Sequence, residues 1–183
     1  MINDQVEASF MSGVQPLALA RFRGGQLLEL PLGTGRVVMD VILPDARDGL
    51  GQIEQQLCDG ALATWLGALA PQAVAVSIPK FRVASELGLA GALRLLGMVG
   101  AFTWPGADFS GMDGTRELYL AEVLHQVEVE IDEQATEAGA VVMSETTPRA
   151  RAAVFHAEHP FLFVIREPQT GAVLVLGRVT NPS

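Results

Sequence analysis

The sequence predicts an α+β fold: several mostly antiparallel strands in multi-stranded sheets, a few short helices, and one long exposed loop. Three observations predict it. Short apolar runs joined by Gly-rich turns fill the first third of the chain. Two dense apolar runs separated by the turn residues Glu167–Gly171 lie near its end. Between them, from Glu133 to Arg151, the core pattern gives way to small residues. The length of 183 residues, 49% of them apolar and 18% charged, suits one compact domain and excludes a disordered tail or a coiled coil.

Taken in order, Leu27–Leu32 and Arg36–Pro44 read as strands joined by Gly33-Thr34-Gly35. Helices follow at Gly49–Leu57, after Asp48, and at Ala61–Leu69, before Pro71. The run VAVSIPKFRV reads as one strand leading into a helix opened by Ser85 as N-cap and closed by Gly97. Thr103–Gly114, rich in Gly, Pro and Asp, reads as turns without a domain boundary. From Val127 to Glu133 apolar and acidic residues alternate, the signature of a half-exposed strand. FLFVIR and AVLVLGRV read as a buried hairpin, apolar on both faces.

Composition removes several function classes. Twelve Lys and Arg against 21 Asp and Glu give a net charge of −9, which offers no electrostatic attraction to nucleic acid or an anionic membrane. Pro71, Gln72 and Pro79 interrupt the longest charge-free stretch, between Asp59 and Lys80, so no membrane-length apolar span is expected. The segment MINDQVEASF lacks the basic start and apolar run of a secretory signal. Cys58 is single, which excludes an internal disulfide and a Cys-based zinc site, and it reads as an ordinary half-buried residue. His156 and His159 precede Pro160 without a third ligand at suitable spacing, so no metal site is expected. No GxSxG, P-loop or dinucleotide fingerprint occurs, and Glu128, Glu130 and Asp132 read as a solvated strand face. The expectation is a protein that is not an enzyme and needs no cofactor.

The small-residue segment obeys a rule of its own. Thr136, Ala138, Ala140, Val142, Ser144 and Thr146 share one parity and are uncharged, while the only charges between Gln134 and Pro148 are Glu137 and Glu145, on the other. A period of two with all charge on one side describes a strand with one buried face. Side chains this small also suit an exposed loop that can be slotted into a sheet, and a flexible linker with accidental parity is the alternative.

These motifs carry a resemblance. SIPKF (Ser77–Phe81), LRLLGMVGAF (Leu93–Phe102), ADFSGM (Ala107–Met112), VEIDEQATEAGA, FHAEHPFLFVI (Phe155–Ile165) and LGRVTNP resemble, in collinear order, the C-terminal half of the serpin family of serine-protease inhibitors. The resemblance implies that residues 1–183 form that half of a serpin domain, with the N-terminal half absent and a reactive loop at about 133–154. It implies a hinge made of Glu133, Gln134, Ala135, Thr136, Glu137, Ala138, Gly139, Ala140 and Val141. Lys80 matches the family's basic partner of Glu133, and His125 matches a histidine that helps hold neighbouring sheet strands together. The family's loop spacing, 17 residues from Glu133 inclusive, ends at Arg149, which also lies 11 residues before Pro160. The reactive bond is thereby Arg149–Ala150, flanked by Thr147, Pro148 and Arg151. Arg151, taken as the reactive residue, would lengthen the loop by two.

An Arg at that position implies a trypsin-like serine protease as partner, trapped by cleavage and loop insertion. Ala135 stands where the family commonly has Gly, Gly139 interrupts the usual alanine run, and Glu158 replaces the usual Asn or Asp. With half the fold absent, the chain alone is expected to expose apolar surface and to inhibit poorly. It would then act as a module that associates with itself or with a complementing N-terminal half, or would simply be cleaved. The resemblance implies an extracellular protein, with the cytoplasm as the alternative.

Overall fold

A computed structural model of the chain describes residues 8–132 and 152–182. These residues divide into two compact units, one made of 8–82 with 130–132 and 152–182, and the other of 83–129.

The first unit is built on a seven-stranded sheet. Its strands are β1 (Phe10–Phe22), β2 (Gly25–Leu32), β3 (Val37–Pro44), β4 (Ala70–Pro79), β7 (Ala153–His156), β8 (Phe161–Arg166) and β9 (Val173–Val179). They lie in the order β7-β4-β1-β2-β3-β8-β9, antiparallel except for the parallel pair β4–β7. Helices α1 (Leu50–Cys58) and α2 (Leu62–Gly67) form between β3 and β4. Gly49 starts α1 because a Cβ there would stand 2.9 Å from the Pro44 side chain and 3.0 Å from the Ala46 carbonyl.

Strand alternation sorts this sheet into rows. Ala20, Leu27, Ile42 and Leu162 pair successively across four strands. Ile53 of α1 and Trp65 of α2 pack over that row, and the Trp65 ring stacks on Phe22 with centroids 4.0 Å apart. On the other face Leu19, Leu28, Val41 and Phe163 form a second row, with Gly177 of β9 at its end. Phe81 meets the rings of Phe161 and Phe163 at 5.7 and 5.4 Å. Burying each such side chain stabilises the unit by roughly 1.5–3 kcal/mol.

One charged cluster interrupts this apolar order. Arg166 donates from Nε to Asp40 Oδ2 at 2.6 Å and from Nη2 to Asp40 Oδ1 at 3.2 Å, and it also bonds Glu29. Asp40 faces Glu29 across β2–β3, so one guanidinium serves two carboxylates on adjacent strands. Burial raises the Asp40 carboxyl above its usual value, and the Arg166 hydrogen bonds and charge offset part of that rise.

The second unit holds most of β5 (Phe81–Gly88) and β6 (Leu124–Ile131), which pair as a two-stranded sheet, with the short helices α3 (Ala90–Leu95) and α4 (Ser110–Asp113). Two aspartates organise the loop. Asp108 accepts from the Ser110 backbone N–H and hydroxyl and pairs with Arg116 at 3.2 Å, while Asp113 does the same for Thr115. These bonds hold both carboxyls below the ordinary range.

Four sequence expectations change. VAVSIPKFRV is two strands of different sheets, broken at Lys80, whose backbone N–H turns to the Ser9 carbonyl at 2.7 Å. Ser85 is no N-cap: it lies inside β5, where the neighbouring Glu86 accepts a bond from Gln126 of β6, and the helix starts only at Ala90. The closing hairpin is buried on both faces only along β8; among the described residues β9 is the sheet edge and leaves Val173, Leu174 and Leu176 exposed. Cys58 is exposed rather than half-buried, because it sits in the last turn of α1.

Candidate functional site

The segment singled out by its parity is bracketed by two strands. On its N-terminal side β6 alternates as expected: Val129 and Ile131 are buried, while Glu128 and Glu130 are exposed. The strand begins earlier than the sequence suggested, at Leu124, which puts His125 on β6 as an exposed residue. A shallow groove of about 480 Å³ runs beside Ala84–Glu86 and Gln126–Glu128. On the C-terminal side β7 starts at Ala153, so Ala153 and Val154, expected in the loop, belong to the sheet.

β7 is an edge strand, held by β4 along its short length. Phe155 is fully buried, and the Ala157 N–H donates to the Ser77 carbonyl at 2.9 Å. The Ser12 and Ser77 hydroxyls bond at 2.9 Å. The His156 ring stands edge-on to Phe10 at 5.8 Å and lies 3.8 Å from Glu158, which in turn faces Arg47 at 3.8 Å. His159 bonds the Pro160 carbonyl oxygen through Nδ1 at 3.2 Å. Among the described residues, no three His, Cys, Asp or Glu side chains gather into a group able to hold a metal. No helix among them is long and apolar enough to cross a membrane.

Of the residues singled out in the sequence, Lys80 is half-buried between β4 and β5 in the first unit, and His125 lies in the second. The hinge (Glu133, Gln134, Ala135, Thr136, Glu137, Ala138, Gly139, Ala140, Val141) lies outside the described residues. So do Thr147, Pro148, Arg149, Ala150 and Arg151. Sequence reasoning missed the Glu29–Asp40–Arg166 cluster. Its signal was available: a single Asp inside the apolar run VVMDVILP, and an Arg closing FLFVIR.

A family model described as Serpin (serine protease inhibitor) matches residues 2–182. The chain belongs to the serpin family. It is 33% identical to human Serpin B11 over 98% of its own length and 47% of that protein. It is 36% identical to the leukocyte elastase inhibitor of Xenopus laevis over 86% of this chain and 43% of that one. A crystal structure of maspin superposes with a TM-score of 0.81 at 28% identity, over 98% of this chain and 49% of maspin. The chain spans about half the length of the serpins it matches, or somewhat less. The mostly sheet architecture with a few helices is the one shared with maspin. Several of the similar proteins carry serpin B names, and the extracellular placement suggested by the resemblance gains no support from them.

Proposed function

We propose that this chain is the C-terminal part of a serpin-type inhibitor of serine proteases, directed at trypsin-like enzymes through cleavage at Arg149–Ala150. The observation that carries the reading is the family match over residues 2–182, together with an Arg at the position that the family's loop spacing assigns from Glu133. A guanidinium presents a planar fork of donors on a long stem, which suits a deep pocket with a carboxylate at its floor. The leukocyte elastase inhibitor is named for a different protease, and Arg149 is what points this chain elsewhere. In the mechanism the resemblance implies, the protease serine acylates at Arg149. The freed loop then enters the sheet beside β6 with Thr136, Ala138, Ala140 and Val142 inward, while Lys80 and His125 support the surrounding strands. The chain acts as inhibitor and suicide substrate rather than as an enzyme, and it requires no cofactor.

A second reading is a non-inhibitory module completed by an N-terminal half or another partner. Two observations favour it: the chain spans only about half of its relatives, and the second unit leaves Leu95, Leu96, Trp104 and Met112 exposed. Incubation with trypsin separates the readings. The inhibitor reading expects a covalent complex, stable to boiling in detergent, formed when the chain is supplied with a complementing N-terminal half. Arg149→Ala should abolish it. Clean cleavage after Arg149 with full release of active trypsin, with or without that half, would sink the inhibitor reading.

A further inference from the structure

Three neighbouring strands each carry one charged residue in an otherwise uncharged run, Glu29 in β2, Asp40 in β3 and Arg166 in β8, and the three meet. Asp40 is fully buried and Arg166 is 6% exposed. Taking such charges out of water costs much of what their attraction returns, and well-packed apolar residues in their place are often as stable. The cluster therefore calls for a role other than net stability, and its place in the sheet supplies one. The pairs β1–β2, β2–β3 and β8–β9 are closed by short turns, which set their alignment. No turn aligns β3 with β8: Asp40 and Arg166 stand 126 positions apart in the chain.

We propose that the Glu29–Asp40–Arg166 cluster selects the register of the β3–β8 seam. In the observed register Val38 faces Arg166, Asp40 faces Val164 and Ile42 faces Leu162, so Arg166 reaches diagonally to Asp40 and on to Glu29. A slip of one residue would send Arg166 to the sheet face opposite Asp40. A slip of two keeps apolar residues against apolar ones, with Val38 meeting Val164 and Met39 meeting Phe163. Apolar burial is non-directional and separates that register poorly from the observed one. The charges separate it well: Asp40 would be left against Leu162, and Arg166 would come abreast of Arg36. A slip of two the other way would set Arg166 beside Asp40, but it would bring Pro168, which has no N–H for a ladder, opposite Val38. Either slip moves β8 about 7 Å along β3. Only Ala157–Pro160 separate β7 from β8, so the shift would draw β7 out of its pairing with β4 and break the Ala157 bond to Ser77. The cluster thereby positions β7, the strand that follows Arg149 and Arg151 in the sequence.

Register selection does not rest on the inhibitor reading, and its test needs no protease. In a Cys58→Ser background, Ile165→Cys is combined in turn with Met39→Cys, Val37→Cys or Val41→Cys. Disulfide formation in a glutathione buffer then reports the observed register, the first two-residue slip and the second. With the cluster intact, the 39–165 crosslink should dominate. Glu29→Gln, Asp40→Val and Arg166→Met together should leave the chain folded by circular dichroism and raise the ratio of 37–165 to 39–165 crosslink by about tenfold or more. Asp40→Asn keeps the shape of the site and removes one charge, so it should raise the same ratio by a smaller factor, about threefold. If the triple variant fails to fold, Asp40→Asn decides alone. A ratio left unchanged by these variants, or a 37–165 crosslink that already matches 39–165 with the cluster intact, overturns the proposal.

Discussion

The two units use a similar stock of apolar residues in opposite ways. In the first, strand rows meet helices on one face and the Phe81 ring on the other, and twelve of its large side chains reach below 2% exposure. In the second, Phe102, Ala107 and Val129 are buried while Leu95 stands 91% exposed and Leu96 83%. The difference teaches that hydrophobicity becomes burial only where a second layer exists. A two-stranded sheet with short helices supplies too little surface to close a core of its own.

The largest effect expected from a single substitution lies in the first unit. Arg166→Ala leaves Asp40 and Glu29 facing each other without their shared cation, at a cost of about 3–5 kcal/mol. A shift in the urea midpoint equivalent to less than about 1 kcal/mol would show that the cluster is incidental to the unit's stability.

A smaller, signed effect comes from pH. Arg166 stays charged: burial opposes its protonation, but the hydrogen bonds and charges of Asp40 and Glu29 prevail and raise its pKa further. Burial raises the folded pKa of Asp40 above the ordinary 3.8, with the Arg166 hydrogen bonds and charge opposing that rise. Stability linked to this group is complete below that ordinary value and is lost as pH rises through the higher folded value. Compared with Asp40→Asn, the wild-type protein should gain relative stability as pH falls from neutral into the carboxylate range. A stability difference independent of pH would remove Asp40 as the titrating group.

The smallest effect sharpens the contrast from the other side. Leu95→Ser and Leu96→Ser should each change stability by no more than about 0.5 kcal/mol, because little surface is lost from a side chain already in solvent. A thermal midpoint lowered by several degrees would mean that the second unit's apolar face is covered in solution.

Much of the first unit was legible in the residues, since its pattern is local. Leu27–Leu32 and Arg36–Pro44 match β2 and β3, and the two expected helices match α1 and α2 within a few residues. What stayed hidden depends on neighbours. FLFVIR and AVLVLGRV look alike as strings, yet β8 is flanked on both sides and β9 on one, a fact of sheet order that no single strand encodes. Ser85 carries a capping side chain, but Glu86 pairs across to Gln126, and tertiary pairing overrides local preference. Lys80 and His125 were placed by family spacing rather than by any signal of their own.

Gly177 gives the β8–β9 hairpin a sense of address. The residues before it, Val173, Leu174, Val175 and Leu176, are near equivalents, and nothing in their chemistry tells one alignment from the next. The Phe163 ring passes where a Cβ of residue 177 would stand, 2.5 Å from its nearest atom. A hairpin that zips up one position out of step would bring Leu176 or Arg178 against that ring, and it would have to open and try again. The missing side chain thus acts as a proofreading notch, making the correct alignment the one in which the aromatic ring has somewhere to go.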